Sequence, residues 1–358
     1  VAGCAVACHR SKLGSTDVVR LERKQLTSGT TCHAAGLSGQ LRATLNLTRL
    51  AKYSAELYIN LSAETGQETG FRQSGSLGVA LTDERLEELK RGASMAKTFG
   101  LEVELLTPSE VRETYPLLNC DDVKGGVFLP KDGQADPANI ALALASGART
   151  AGVRIFEHTK VTGVETRDGR VTGVMTDKGH ITADYVVNCG GMWGREIGLM
   201  AGVEVPLHAC EHFYIVTDPI ADLPSNLPSL RVPDECTYYK EDAGKIVLGC
   251  FEPKAKPWGG DGIPEDFCFA ELPEDIAHFE PILEKAIERM PLLAEAGIRT
   301  FFNGPESFTP DGRYLLGEAP FLKNFFLACG FNSIGIKHIA KIIYAPVMLF
   351  GCLTDFYR

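Results

Sequence analysis

VAGCAVACHRSKLGSTDVVRLE, residues 1–22, is the stretch on which the reading of the fold turns. Cys4, Ala5 and Cys8, continued by Leu13, set an apolar stripe at helical spacing over Val1–Lys12. Gly14 stands where such a helix takes its C-cap. DVVRLE, residues 17–22, then reads as a short buried strand ending on an acid. A glycine-bearing helix followed by a strand ending in Glu is the second half of a βαβ unit. Gly3 takes the place of the last glycine of G-x-G-x-x-G, and Glu22 lies near the spacing of the acid that bonds ribose hydroxyls. The first strand and first two glycines of that pattern would precede Val1, so the unit is expected to be truncated. Taken alone, the same residues also describe an ordinary helix followed by a strand that ends in a surface glutamate.

Outward from this start, TSGTTCHAAGLSG (residues 27–39) is a loop of small residues of the kind that lets backbone approach a ligand. Helices are expected over 46–62, 83–99 with Asp83 as N-cap, and 138–151. Strands are expected over 75–82 and 153–156, with hairpin turns at Asp168-Gly169 and Lys178-Gly179. Tyr185–Asn188 reads as a strand running into Cys189-Gly190-Gly191 and a helix from Met192, a second strand–glycine–helix junction. From Pro206 to about Thr300 the texture changes to longer β segments and proline-rich connections, which points to an antiparallel sheet. Phe325–Ala328 returns to a buried strand. The fold class expected is α/β plus antiparallel β: a Rossmann-like dinucleotide domain without its first strand, interleaved with a β-sheet substrate domain. The segments assigned to the first are 1–60, 121–205 and 301–336, and those assigned to the second are 61–120 and 206–300.

Composition narrows the partners. Of 358 residues 44% are hydrophobic and 23% charged, ordinary for a globular chain that buries a substantial core. A net charge of −10 argues against nucleic acid as the main partner. The longest apolar candidate, Ile339–Cys352, is too short to cross a bilayer and contains Lys341, so no membrane span is expected. The 11 cysteines form no CxxC pair and mostly sit in apolar contexts, so free thiols in a reducing compartment are expected.

The loop Ser28-Gly29-Thr30-Thr31-Cys32-His33-Ala34-Ala35-Gly36-Leu37 resembles the FAD-binding loop of the dimethylglycine and sarcosine dehydrogenase family, within the D-amino-acid-oxidase-like superfamily. The resemblance continues through Glu64-Thr65-Gly66, Gly75-Ser76-Leu77, Pro116–Asn119, Asp132–Pro137, Val187–Trp193 and Gly304–Gly312, and spans roughly residues 1–336. It implies FAD as cofactor, joined covalently through His33. A loop histidine bonding a nearby carbonyl is the plainer alternative for that residue. The cofactor-binding set the family pattern implies is Gly3, Glu22, Arg23, Thr30, His33, Ala34, Ala35, Gly36, Leu37, Val161, Gly190, Trp193, Asn332 and Gly335.

In Glu211-His212-Phe213-Tyr214-Ile215-Val216, alternation puts His212, Tyr214 and Val216 on one strand face. In related dehydrogenases a His and a Tyr from these strands face the flavin. The resemblance gives His212 and Tyr239 those catalytic roles, with a structural His–Tyr pair at a sheet edge as the alternative. Tyr238, Arg42 and Lys337 are the substrate-binding candidates: an amino-acid carboxylate needs a cationic partner, and the resemblance to sarcosine oxidases implies Arg42, otherwise a solvated surface residue, and Lys337. After Gly335-Ile336 the sequence departs from the family, and residues 337–358 are expected to be an atypical tail.

The implied reaction is oxidation of the N-methyl C–N bond of a small secondary or tertiary amine such as sarcosine or dimethylglycine, with hydride passing to flavin N5. Oxygen or an electron-transfer flavoprotein would take the electrons, and the setting would be a mitochondrial matrix or a bacterial cytoplasm. Two rivals stand beside it: a non-catalytic relative like the regulatory subunit of pyruvate dehydrogenase phosphatase, whose flavin loop lacks the pattern found here at Cys32–Ala35, and an inactive gene fragment.

Overall fold

A computed structural model describes residues 1–338, so the apolar stretch at Ile339–Cys352 and most of the expected tail lie outside the described residues. Helix Ala2–Lys12 buries Cys4, Ala5, Ala7 and Cys8. Gly14 follows it in the left-handed region at φ 93°, where a Cβ would crowd the neighbouring carbonyl. Strand Val19–Leu21 then pairs in parallel with Arg154–Phe156. Helix Pro137–Thr150 joins Ala2–Lys12 in one core, with Ala5, Ile140, Ala141, Leu144 and Ala145 fully buried. Small side chains at such a contact let two helices pack closely. Leu57, Tyr58 and Leu61 of helix Leu45–Thr65 complete this core.

Strands Val186–Asn188 and Phe325–Cys329 form a second parallel pair, to which Leu315–Glu318 adds an antiparallel edge. A three-stranded meander, Val161–Arg167, Arg170–Thr176 and Gly179–Thr182, turns at Asp168-Gly169, both with positive φ. Helices on parallel strand pairs give this part the α/β character expected.

The other part is an eight-stranded sheet. Its order is Ile298–Asn303, Phe213–Thr217, Lys245–Cys250, Thr237–Asp242, Ser229–Val232, Ser76–Ala80, Gly125–Leu129 and Glu104–Leu106. One expectation needs correction. Gly125–Leu129, assigned to the dinucleotide domain, is a strand of this sheet because it pairs along its whole length with Ser76–Ala80. The strands of 206–303 pair antiparallel with one another, as expected, and Ser76–Ala80 adds one parallel pair against Ser229–Val232. One face buries Phe213, Ile215, Leu230, Val232, Tyr239, Ile246 and Leu248 together with Phe279 and Ala286 of helix Ile276–Arg289. The opposite face is left for the site.

Local capping differs from expectation at one helix. Asp83 lies in the first turn of Asp83–Thr98, and the cap is Thr82, whose hydroxyl accepts from Arg85 N. Both residue types cap well, and the chain here turns one residue earlier than the pattern suggests.

Candidate active site

The loop of small residues bends through a short 3₁₀ turn, Thr30–His33, and then runs into Leu37–Ser38, which pairs with Gly133–Gln134. Gly36 is the pivot: its φ is 79°, and a Cβ there would lie 2.0 Å from Ala135 O. Ala135 N in turn donates to Gly36 O at 2.9 Å. The loop is therefore clamped on the DGQADP turn, and His33 is delivered, 5% exposed, toward the sheet.

There it meets Gly304. A Cβ on Gly304 would lie 2.7 Å from His33 Cβ, so only glycine allows the imidazole this approach. Gly304 exchanges both backbone hydrogen bonds with His212, N to O at 3.0 and 3.1 Å. His33 and His212, far apart in sequence, thus share one backbone unit. They line a common pocket with Ala34, Ala35, Gly36, Leu37, Tyr238 and Lys337. Lys240 Nζ donates to Ala35 O at 3.1 Å and ties sheet to loop.

The sheet presents Tyr238, not Tyr239. Tyr238 and Tyr214 both stand in register with Gly249 and so share the pocket-side face, while Tyr239 is fully buried in the opposite core. A Cβ on Gly249 would lie 2.1 Å from the Tyr238 ring, so the glycine makes the bed in which that ring lies flat. The assignment of Tyr239 to the reacting face is corrected by strand parity. His212 and Tyr238 flank the Phe251 ring, with centroids at 5.1 and 5.6 Å.

Beside the pocket lies a buried charged group. Asp132 accepts from Gln40 N at 2.8 Å and from Ser76 Oγ at 2.5 Å, and burial pushes its carboxyl above the usual range. Arg42 donates from Nη2 to Gly39 O at 2.9 Å and from Nε to His338 Nε2 at 3.1 Å. His338 Nδ1 faces Ile334 O at 3.1 Å and the Tyr314 hydroxyl. Burial holds His338 neutral, its pKa down at about 3, so its Nε2 accepts and its Nδ1 carries the proton. Lys337 is buried, and loss of solvent together with Arg231 and Arg42 drops its ammonium well below the ordinary lysine range. His338 and the guanidinium of Arg231 were not singled out in the sequence. Nor was Glu306, whose buried carboxylate lines the pocket and whose Oε2 has no hydrogen-bond partner among the described residues.

The remaining cofactor candidates are spread over several elements. Arg23 stacks on Trp193 at 4.4 Å, and a Cβ on Gly29 would touch that indole at 3.1 Å. Glu22 accepts from Arg20 at 3.2 Å and from Lys24 N at 3.3 Å. Gly3 is so close to Arg20 that a Cβ would lie 3.1 Å from its Nε. Thr30 donates to Pro305 O at 3.3 Å, and Gly190 N donates to Asn188 Oδ1 at 3.0 Å. Val161 opens the meander opposite Thr176. Asn332 accepts from Thr309 N at 2.8 Å and donates to Gly330 O at 2.7 Å, while Gly335 starts the helix Gly335–His338.

These residues suit FAD on their own terms. Among the described residues, Nε and Nη1 of Arg20 and Nε1 of Trp193 are buried without hydrogen-bond partners, and His33 has at most the Ala270 backbone beside its ring. Buried donors and acceptors in that state are costly unless a ligand satisfies them. Burial also lowers the His33 pKa, which keeps the imidazole neutral. Cationic donors at the Gly3 end and a buried neutral imidazole at the other match a pyrophosphate and a flavin ring in polarity. All ten cysteines among the described residues are free thiols.

Comparison with known proteins bears on the chain as a whole. The family model described as FAD dependent oxidoreductase (DAO) matches residues 1–341. The chain is 42% identical to mitochondrial sarcosine dehydrogenase of Homo sapiens over 93% of its length, which is 37% of that protein. It is 40% identical to the mitochondrial pyruvate dehydrogenase phosphatase regulatory subunit of Mus musculus, over 94% of this chain and 39% of that one. The chain therefore spans about two fifths of the curated relatives it matches. Its fold superposes on the crystal structure of L-proline dehydrogenase from P. horikoshii with a TM-score of 0.87 at 26% identity, covering 98% of this chain and 90% of that one.

Proposed function

The chain belongs to the FAD-dependent oxidoreductase (DAO) family, and on that premise we propose that it is an oxidase or dehydrogenase of a small N-methyl amine such as sarcosine or dimethylglycine. The cofactor supplies the hydride acceptor. The observation that carries the reading is the backbone pair His212–Gly304 with His33 packed on the same glycine, because it joins the flavin loop to the sheet that would hold the amine. His33, kept neutral by burial and packed on Gly304, is the group through which we propose covalent attachment. His212 and Tyr238 line the pocket from the sheet side and orient the amine, and Phe251 excludes water beside them.

Acid precipitation of the purified chain after incubation with FAD tests this. Flavin that stays with the pellet and is lost in His33→Ala supports attachment at that nitrogen. Flavin released to the supernatant supports FAD binding and removes the covalent bond from the reading. If no flavin appears in either fraction, the redox function fails. The similarity to a phosphatase regulatory subunit favours one second reading, a non-catalytic protein that acts on a partner. A flavin-loaded chain that is not bleached by sarcosine, dimethylglycine or longer N-methyl amino acids would decide for it. Turnover in air without an added acceptor separates oxygen from an electron-transfer flavoprotein.

A further inference from the structure

Arg231 stands in strand Ser229–Val232, where Leu230 and Val232 enter the covered core and alternation turns Arg231 to the pocket-side face. Its register partner is Tyr238. Its guanidinium lies 5.5 Å from the Phe251 centroid, the ring that also touches His212 and Tyr238. One aromatic side chain thus gathers the cation and both groups that flank the amine.

Two guanidiniums approach this site, and they differ in what they already hold. Arg42 has given Nε to His338 and Nη2 to the Gly39 carbonyl. Among the described residues the Arg231 guanidinium makes the ring contact and neither a hydrogen bond nor an ion pair. Its nearest acid by charge effect is Asp132, whose oxygens are taken up by Gln40 and Ser76. A guanidinium binds a carboxylate through two parallel N–H donors, and a largely buried cation without an acceptor gains most from such a partner. The free fork is Arg231.

We propose that Arg231 binds the carboxylate of the amine substrate, with Arg42 held back as a fixed positive charge, so that this site selects N-methyl amines bearing an acid over neutral amines. The inference rests on the amine-oxidising reading above. It adds a specificity residue on strand Ser229–Val232 to the candidates Arg42, Tyr238 and Lys337.

The test uses the full chain loaded with FAD and methoxyacetate, which keeps the carboxylate of N-methylglycine but has no amine to oxidise. Binding is read both by calorimetry and by the change in the bound flavin's visible absorption. Arg231→Gln is expected to weaken methoxyacetate binding by about 10- to 100-fold, the scale of a lost charge-assisted hydrogen bond. Arg231→Lys, which keeps charge but loses the fork, is expected to fall between, and it serves if the glutamine variant does not fold. In turnover, the preference for sarcosine over dimethylamine, measured as a ratio of kcat/KM, should shrink by a similar factor. Methoxyacetate binding within twofold of the unchanged chain in both variants would overturn the assignment. So would a tenfold loss in Arg42→Gln with none in Arg231→Gln. A chain that takes no flavin overturns the parent reading instead, and the two failures are told apart by the flavin spectrum alone.

Discussion

Tyr238 and Tyr239 are neighbours in sequence with opposite fates, and the pair separates chemistry from packing. Tyr238→Phe removes a hydroxyl on the pocket wall and should lower kcat by about 100-fold if that group orients or exchanges a proton with the amine. The same change should leave the melting temperature nearly unmoved. Tyr239→Ala opens a hole in the covered core and should cost about 3–5 kcal/mol, read by denaturant unfolding. Lys337 gives a pH signature. Its folded pKa is depressed below the unfolded value of 10.5, so between the two values the unfolded chain binds more protons. Stability should therefore rise with pH across that window, the cost of the buried ammonium being fully present only below the folded pKa. Lys337→Met should be more stable than the parent at neutral pH and should flatten the rise, with denaturation midpoints against pH as the measure. If the slope is unchanged, the ammonium is not the source. The same variant should bind methoxyacetate more weakly, since function keeps a cation that stability would discard.

At the scale of elements, the site depends on turns that hold loops rather than on long helices. Gly36 and Gly304 both stand where a Cβ would strike a neighbour, at Ala135 O and at His33. The blocks containing them were legible as motifs, but which side chain each glycine admits was not. Helix Asp83–Thr98 offers a test of local reading. Thr82→Ala should cost about 1 kcal/mol by losing the cap bond to Arg85 N, and Asp83→Ala only a few tenths through the helix dipole. Equal losses in thermal denaturation would return the cap to Asp83. The helix Gly335–His338 belongs to this scale too. The sequence there departs from the family pattern, yet His338 docks on Arg42 and Tyr58 donates to Ile336 O at 2.6 Å. That segment is part of the site's wall.

In the whole molecule, two cores meet across the pocket, one around helices Ala2–Lys12 and Pro137–Thr150 and one beneath the eight-stranded sheet. Lys240 to Ala35 and Arg72 to Glu241 at 3.2 Å cross between them, and His33 packs on Gly304 at the end of the sheet. A cofactor seated in that seam should stabilise both. At FAD 100-fold above its Kd the gain is about 2.7 kcal/mol, seen as a rise in Tm and a sharper single transition by calorimetry. In His33→Ala the rise should depend on free FAD throughout, and an FAD-independent Tm in that variant would argue against binding in the seam. The sequence alone determined the helix–strand start, the loop of small residues and the fold class, because periodicity and glycine spacing are local properties of a chain. Only the tertiary structure decided that Tyr238 rather than Tyr239 meets the pocket and that Gly125–Leu129 joins the sheet. It also decided that, among the described residues, the Arg231 guanidinium meets only the Phe251 ring whereas Arg42 is hydrogen-bonded to His338 and Gly39. Strand parity, sheet partnership and the engagement of a charge depend on residues distant in sequence, and no spacing along the chain encodes them.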